Sequence, residues 1–107
     1  MTLPREDFEL HGFKCRAFRR ANGGMFGIVF VRLHVGRRIE HGRYVELGGR
    51  RVYFTTVELD DVKYDGVIMS DNNDDIVAGF DPVDCMLRMD DVAKALRERV
   101  DRGESVP

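Results

Sequence analysis

Residues 13–35 read FKCRAFRRANGGMFGIVFVRLHV, and this stretch decides the fold class. Its first seven residues largely alternate apolar and charged side chains, which is typical of a strand with one buried face. The following Ala-Asn-Gly-Gly favours a tight turn, because these residues readily adopt positive φ. The apolar run that begins at Met25 is typical of a strand buried on both faces. The stretch therefore predicts an antiparallel hairpin whose second strand lies in the centre of a sheet.

Further turn signals divide the chain on the C-terminal side of this hairpin into short segments. Residues 36–42 are polar and basic and predict a loop. Gly48-Gly49 predicts a second hairpin, between residues 44–47 and 51–57. Residues 66–69 and 76–80 flank a polar loop. No helical pattern occurs between Phe13 and Phe80, and parallel strands would need such a crossover. The sequence therefore predicts an α+β fold with a single antiparallel, strongly twisted sheet of five or six strands.

The apolar period changes at Asp90. From there a single apolar stripe recurs at helical spacing, formed by Val92, Ala93, Leu96 and Val100. Asp90 suits the N-cap of a helix and Gly103 suits its C-terminal stop. We predict a C-terminal helix over about residues 90–102, packed on one face of the sheet, with a tail over residues 103–107.

Two further segments allow more than one interpretation. The alternating apolar residues Val83, Cys85, Leu87 and Met89 are typical of a last strand. Asp81-Pro82 is also a helix start signal, so one helix over residues 82–102 is the alternative. Residues 2–10 are consistent with a short N-terminal helix.

Length and composition indicate a single domain over residues 1–107. Hydrophobic residues make up 43% of the chain, which is enough for a packed core. No apolar run approaches the roughly 20 residues of a membrane span, and the first ten residues lack the apolar stretch of a secretory signal. Cys15 and Cys85 are therefore expected to be reduced core thiols, and the expected location is cytoplasmic, with no membrane contact.

Charge is distributed unevenly along the sequence. Residues 1–54 hold 11 Arg and Lys against 5 Asp and Glu, whereas residues 55–107 hold 6 against 14. The two halves therefore carry net charges of +6 and −8. If the fold keeps the halves apart, the resulting field would steer a charged partner.

Five aspartates form the predicted acidic binding surface: Asp60, Asp61, Asp71, Asp74 and Asp75. The spacing within residues 71–75 matches the start of a calcium loop, D-x-N-x-D. The match then fails, because Ile76 replaces the required Gly and Pro82 replaces the closing Glu. We therefore predict no metal site. The loop is either a solvated hairpin loop made of turn-prone residues or, together with Asp60 and Asp61, an acidic surface that binds basic partners.

Eight arginines form the predicted basic surface, which would bind a partner or phosphate: Arg16, Arg19, Arg20, Arg37, Arg38, Arg43, Arg50 and Arg51. Several lie beside predicted turns, and turns that meet at one edge of the sheet would form a positive rim. Phosphate backbones bind such rims, and Phe18, Tyr44 or Tyr53 could add base stacking. The alternative is a solvated rim that prevents edge-to-edge aggregation.

No motif in the sequence predicts catalysis or a cofactor. Ser70 and Ser105 are the only serines and neither lies in a nucleophile-elbow pattern. Phosphate-binding loops and dinucleotide fingerprints are absent, and the histidine spacings do not match a zinc motif. We therefore predict a small non-enzymatic binding protein that docks a protein or nucleoprotein partner through charged surfaces. Inhibitors, adaptors and mobile-element accessory proteins are of this class.

The sequence is also consistent with two alternative functions. The basic N-terminal half could bind nucleic acid directly. The chain could also self-associate as a structural protein, either head to tail through its opposite charges or as a homodimer through an unpaired edge strand.

Overall fold

The computed structural model describes residues 5–36, 42–69 and 79–104. The elements within them are β1 (Arg5–Leu10), β2 (Phe13–Arg19), β3 (Met25–Leu33), β4 (Arg43–Leu47), β5 (Arg50–Leu59), β6 (Val62–Ile68) and α1 (Pro82–Asp101). The six strands form one antiparallel sheet that is not closed, and α1 packs against one of its faces. The structure thus confirms the predicted α+β class with a C-terminal helix.

The strand order is β1-β2-β3-β6-β5-β4. Consecutive strands pair within two three-stranded meanders, β1 to β3 and β4 to β6, and the pairing of β3 with β6 joins the meanders. The apolar run from Met25 forms β3, which confirms the prediction of a central strand. β1 and β4 are the two outermost strands.

Three of the turns contain two residues that both have positive φ, as a tight hairpin of type I′ requires. The predicted Gly48-Gly49 turn, with φ of 60° and 74°, is confirmed. The turns at His11-Gly12 and Asp60-Asp61 were not predicted. Asp tolerates this conformation better than most residues, because its short side chain can hydrogen-bond locally.

The N-terminal segment is a strand, so the predicted short helix over residues 2–10 is wrong for its described part. Phe8 and Leu10 alternate with acidic residues and pack against the core. Phe8 lies opposite Cys15 and Leu10 lies opposite Phe13 in the register of β1 with β2. Pairing with a neighbouring strand therefore determines the conformation here, because the local sequence favours none strongly.

The helix begins at Pro82, in agreement with the alternative of one helix over residues 82–102. The predicted start at Asp90 and the predicted strand over residues 83–89 are wrong. Asp81 is the N-cap, and its side chain accepts hydrogen bonds from the backbone N–H groups of Val83 and Asp84. Pro82 occupies the first helical position, where its missing N–H costs nothing. Gly103, at φ 72°, follows the helix as predicted. Of the segment 76–80, which was predicted to flank the polar loop, residues 76–78 lie outside the described residues, while Phe80 forms an isolated bridge with Met25.

The core lies between α1 and the face of the sheet that we call the helix face. Five helical residues, Cys85, Met89, Val92, Ala93 and Leu96, are fully buried against it. Gly27 on β3 permits close packing, because a Cβ at this position would overlap Sδ of Met89. Among the described residues, no helix is long and apolar enough to cross a membrane.

Candidate interaction surfaces

Two of the five predicted acidic residues, Asp60 and Asp61, form the turn between β5 and β6 and are exposed. Asp60 Oδ2 accepts a hydrogen bond from Nη2 of Arg16 at 3.1 Å. Asp71, Asp74 and Asp75 lie outside the described residues. Within the described part of the chain, the predicted acidic surface is therefore confined to one turn.

Arg16 has a structural position. Only 4% of it is exposed, and its Nη2 also donates to Oδ2 of Asp7 at 2.9 Å. Removal of either carboxylate would leave a buried cation incompletely paired, which destabilises a fold. The ion pair with Asp60 ties β2 to the turn between β5 and β6. Arg16 is therefore poorly placed to bind an external phosphate.

The other described arginines of the predicted basic surface lie on both faces of the sheet. Strand register places Arg19, Arg43 and Arg50 on the helix face. Arg20 and Arg51 lie over aromatic rings on the opposite face. Arg37 and Arg38 lie outside the described residues. The described arginines thus do not share one rim.

The oppositely charged halves of the sequence are interleaved in space. Among the described residues, five pairs join a basic residue of residues 1–54 to an acidic residue of residues 55–107: Arg16–Asp60, Arg32–Asp65, His34–Asp65, Arg50–Asp91 and His11–Asp90. The sequence asymmetry therefore does not become a simple dipole in the described structure.

The face of the sheet opposite α1 carries six of the ten aromatic side chains, and we call it the aromatic face. These residues are Phe18, Phe26, Phe30, Tyr44, Tyr53 and Tyr64. They form three pairs across neighbouring strands, with ring centroids 4.9, 4.8 and 5.2 Å apart. Cross-strand aromatic pairs stabilise a sheet, and they also form platforms on which planar ligands stack.

Each aromatic pair has a cation over one of its rings. The guanidinium carbon of Arg20 lies 4.6 Å from the ring centroid of Phe26, and that of Arg51 lies 4.3 Å from the centroid of Tyr44. Lys14 Nζ lies 5.9 Å from the centroid of Phe30. These distances allow cation–π attraction, so part of the ring surface is already covered by the protein's own cations.

An apolar groove lies between the C-terminal end of β1 and the first turns of α1. Its volume is about 450 Å³, and it is lined by Leu10, Pro82, Val83, Met86, Leu87 and Asp90. Val83, Leu87 and Met86 are 69%, 57% and 37% exposed. Exposed apolar side chains that line one groove make it a candidate binding site.

One side of α1 faces β1 and forms a wall of this groove. The side is marked by Val83, Met86, Asp90 and Arg97, which follow the i, i+3, i+7, i+14 spacing of one helical face. Asp90 Oδ1 lies 2.8 Å from Nε2 of His11, and Nε of Arg97 donates to the His11 carbonyl at 2.9 Å. These contacts fix the turn after β1 against the helix and thereby fix the groove's width at that end.

Both elements beside the groove are acidic. Residues 5–10 contain three acidic residues and one Arg, and residues 81–90 contain three Asp and one Arg, so each segment has a net charge of −2. Asp81 is exposed at the N-terminus of the helix. A ligand at the groove therefore meets apolar side chains beside carboxylates, of which Asp84 and Asp90 are paired with Arg88 and His11.

The side chains of Cys15, Cys85 and Asp65 are buried and have structural surroundings. Desolvation by burial raises the pKa of the Cys15 thiol to about 12 and that of the Cys85 thiol to about 11, so neither is a good nucleophile at neutral pH. The buried carboxylate of Asp65 is paired on both oxygens, with Nε of Arg32 and Nδ1 of His34, each at 2.8 Å. Within residues 5–36, 42–69 and 79–104, no three His, Cys, Asp or Glu side chains cluster as a metal site.

The residues of the groove were absent from the predicted sites. The available signal was the excess of apolar residues at 83, 86 and 87, which a helix starting at Pro82 cannot bury together with Cys85 and Met89. This excess identifies an exposed apolar side only if residues 82–89 are assigned to the helix. No family model, curated protein or solved structure matches this chain.

Proposed function

We propose that this protein is a non-enzymatic binding protein, of the inhibitor or adaptor type, which docks a protein partner in the groove between β1 and α1. The observation that carries the proposal is the exposure of Val83, Met86 and Leu87 beside one groove. Burying these side chains would release ordered water and supply affinity. The acidic elements around them would favour a partner segment that combines apolar and basic residues.

The location of the groove supports this role. It is formed by the ends of two regular elements, and the contacts of His11 with Asp90 and Arg97 join these elements. A preformed groove loses little conformational freedom on binding. Its volume is also within the range of about 300–1,000 Å³ that is usual for ligand sites.

The test begins with short random peptides displayed on phage and selected on the purified protein. We expect enriched peptides to combine Leu, Val or Ile with Arg and Lys. The affinity of a synthetic selected peptide would then be measured by fluorescence polarisation for the wild type and for Val83→Asp and Leu87→Asp. Each substitution should weaken binding by about tenfold or more, because it places a charge in an apolar contact.

Val100→Asp is the matched control. Val100 lies on the same helix and is 41% exposed, but it does not line the groove. Its substitution should leave the affinity within about twofold, because rim and distant contacts contribute little. If Val100→Asp weakens binding as much as Leu87→Asp does, or if selection enriches no peptide, the proposed function is wrong.

A second candidate function, binding of single-stranded nucleic acid, is favoured by the three cation-bearing aromatic pairs of the aromatic face. Stacked bases and phosphates contact this combination of residues in single-strand-binding proteins. A fluorescent oligo-dT should then bind with a log-linear loss of affinity as salt rises, and Tyr44→Ala should weaken it. A lack of binding at roughly 50 mM salt would remove this candidate. The net charge of −2 makes it the weaker of the two.

A further inference from the structure

β4 is an outermost strand whose outer side is unpaired. Within the described part of the chain, Arg43–Leu47 pairs with β5 and with no other strand. The strand contains no Pro, and its register with β5 has no bulge. The backbone N–H and C=O groups on its outer side are therefore available to a further strand, as on any exposed sheet edge.

The turn after β4 determines which backbone groups lie on that outer side. Leu47 and Arg50 flank the two-residue turn Gly48-Gly49, so they form a hydrogen-bonded pair. Hydrogen-bonded pairs alternate along an antiparallel ladder, so every second residue before Leu47 also bonds to β5. The N–H and C=O groups of the residues between them, Tyr44 and Glu46, point outward.

Two opposite charges beside this edge are not paired with each other. Glu46 and Arg51 lie opposite each other in the register of β4 with β5. The guanidinium of Arg51 lies instead over the ring of Tyr44, 4.3 Å from its centroid. Glu46 is exposed, and no ion pair joins it to a described residue. The aromatic face therefore presents, at the edge of the sheet, a carboxylate that its own chain does not neutralise.

We propose that β4 pairs with β4 of a second copy of this chain, which gives a symmetric dimer with one continuous sheet. The two-fold axis passes beside Val45, because this antiparallel register is the one that pairs all five residues of both strands. It places Tyr44 opposite Glu46 of the partner subunit. The outward N–H and C=O groups of this pair and of its symmetry equivalent form four backbone hydrogen bonds.

Charge complementarity identifies a second copy as the occupant of this edge. The pairing brings Glu46 of the partner subunit beside Tyr44, whose ring carries the guanidinium of Arg51. Each unneutralised carboxylate therefore meets a cation of the other chain. β4 contains one Arg and one Glu, so its net charge is zero and two copies do not repel each other along the edge. The dimer is independent of the groove, which is lined by Leu10 and the first turns of α1.

The first experiment is sedimentation equilibrium at low salt over a series of protein concentrations. We expect the mass to rise with concentration from the chain mass of 12.3 kDa towards twice that value. Glu46→Pro should remain at the monomer mass, because it removes an outward N–H, and Pro is tolerated where the N–H of an edge strand faces solvent. A wild type that is monomeric at every concentration, or a dimer that persists in Glu46→Pro, would overturn the proposal.

The second experiment tests the contact between chains by charge reversal. Glu46→Arg and Arg51→Glu should each weaken dimerisation by about tenfold or more, because each places like charges across the interface. An equimolar mixture of the two variants should dimerise again, because each chain supplies the charge that the other lacks. Within either chain the two positions still carry like charges, so recovery in the mixture reports a contact between chains. Single variants that dimerise like the wild type, or a mixture that stays monomeric, would overturn this arrangement.

Glu9→Arg is the matched control for Glu46→Arg. Glu9 is also an exposed glutamate on an outermost strand, but it lies on β1, at the other edge of the sheet. Its reversal should leave the dimer mass unchanged, and an equal loss would show that net charge, rather than the β4 edge, controls association. Circular dichroism should show that each variant is folded. A monomeric wild type that still binds selected peptides in the groove would overturn the dimer alone and leave the proposed function intact.

Discussion

α1 has two apolar sides with opposite roles. The side that faces the sheet contains Met89 and Leu96, both fully buried, whereas the side beside the groove contains Val83 and Leu87, both more than half exposed. The residue types on the two sides are similar. The difference teaches that apolar character alone does not distinguish a core residue from a binding residue; the neighbouring element does. The sheet covers one side, and nothing in the described chain covers the other.

The difference between the two sides of α1 is tested most directly by truncating one leucine on each side. Leu96→Ala should lower the free energy of unfolding by about 2–5 kcal/mol, because it leaves a cavity in the core. Leu87→Ala should change it by less than about 0.5 kcal/mol, because the side chain is already in water. Urea denaturation followed by circular dichroism would measure both. Equal losses would show that the groove side is part of the core.

A second prediction concerns the tight contact on the buried side. Gly27→Ala places a methyl group where Met89 lies, so we expect a loss of about 1–3 kcal/mol from overpacking. The double variant Gly27→Ala/Met89→Ala should lose less than the sum of the two single changes, since the shorter side chain makes room. A strictly additive double-mutant cycle would contradict the contact.

A third prediction concerns Cys85, on the buried side of α1, and the pH dependence of the free energy of unfolding. Burial raises the pKa of Cys85 from 9.0 to about 11, so the folded state holds this proton more tightly than the unfolded state does. The resulting stability is fully present below pH 9 and is lost as the pH rises towards 11. Between pH 8 and 10 this thiol should account for about 1 kcal/mol of the decline. Cys85→Ala should remove that part of the pH dependence, and an unchanged slope would refute it.

The smallest expected effect lies on the groove side. Asp90→Asn keeps the shape of the side chain but removes the charge that lies 2.8 Å from His11. Partly exposed ion pairs contribute about 0–1 kcal/mol, so the melting temperature should change little. Peptide affinity should fall more clearly, because the substitution loosens the turn beside the groove and removes a negative charge. A large drop in stability without any change in affinity would assign Asp90 to the core side.

Much of the fold could be predicted because its signals are local. The glycines of the turns and the apolar run of β3 are determined by neighbouring residues. β1 could not be predicted, because Phe8 and Leu10 acquire their strand conformation by pairing with β2. The helix start was misassigned because Val83, Cys85, Leu87 and Met89 satisfy a strand period as well as two sides of a helix.

The candidate site was harder to predict than the fold. Leu10 and Leu87 are distant in sequence, and only the packing of α1 across the sheet brings them to one groove. The predicted charged surfaces were treated as contiguous blocks of sequence, but hairpins interleave such blocks. Arg16 is the clearest example, because its carboxylate partners Asp7 and Asp60 come from opposite halves of the chain.

The strand order has a consequence for the folding pathway. Four of the five strand pairings join consecutive strands through short turns, whereas β3 and β6 must find each other from afar, with Ile28 opposite Ile68. Local pairings form quickly and distant ones slowly, so two independent meanders should form first and their joining should limit the rate. The variant Val29→Ala, at the pairing of β3 with β6, should therefore slow folding. The variant Val52→Ala, within the β4–β5 hairpin, should leave the folding rate nearly unchanged and mainly raise the rate of unfolding.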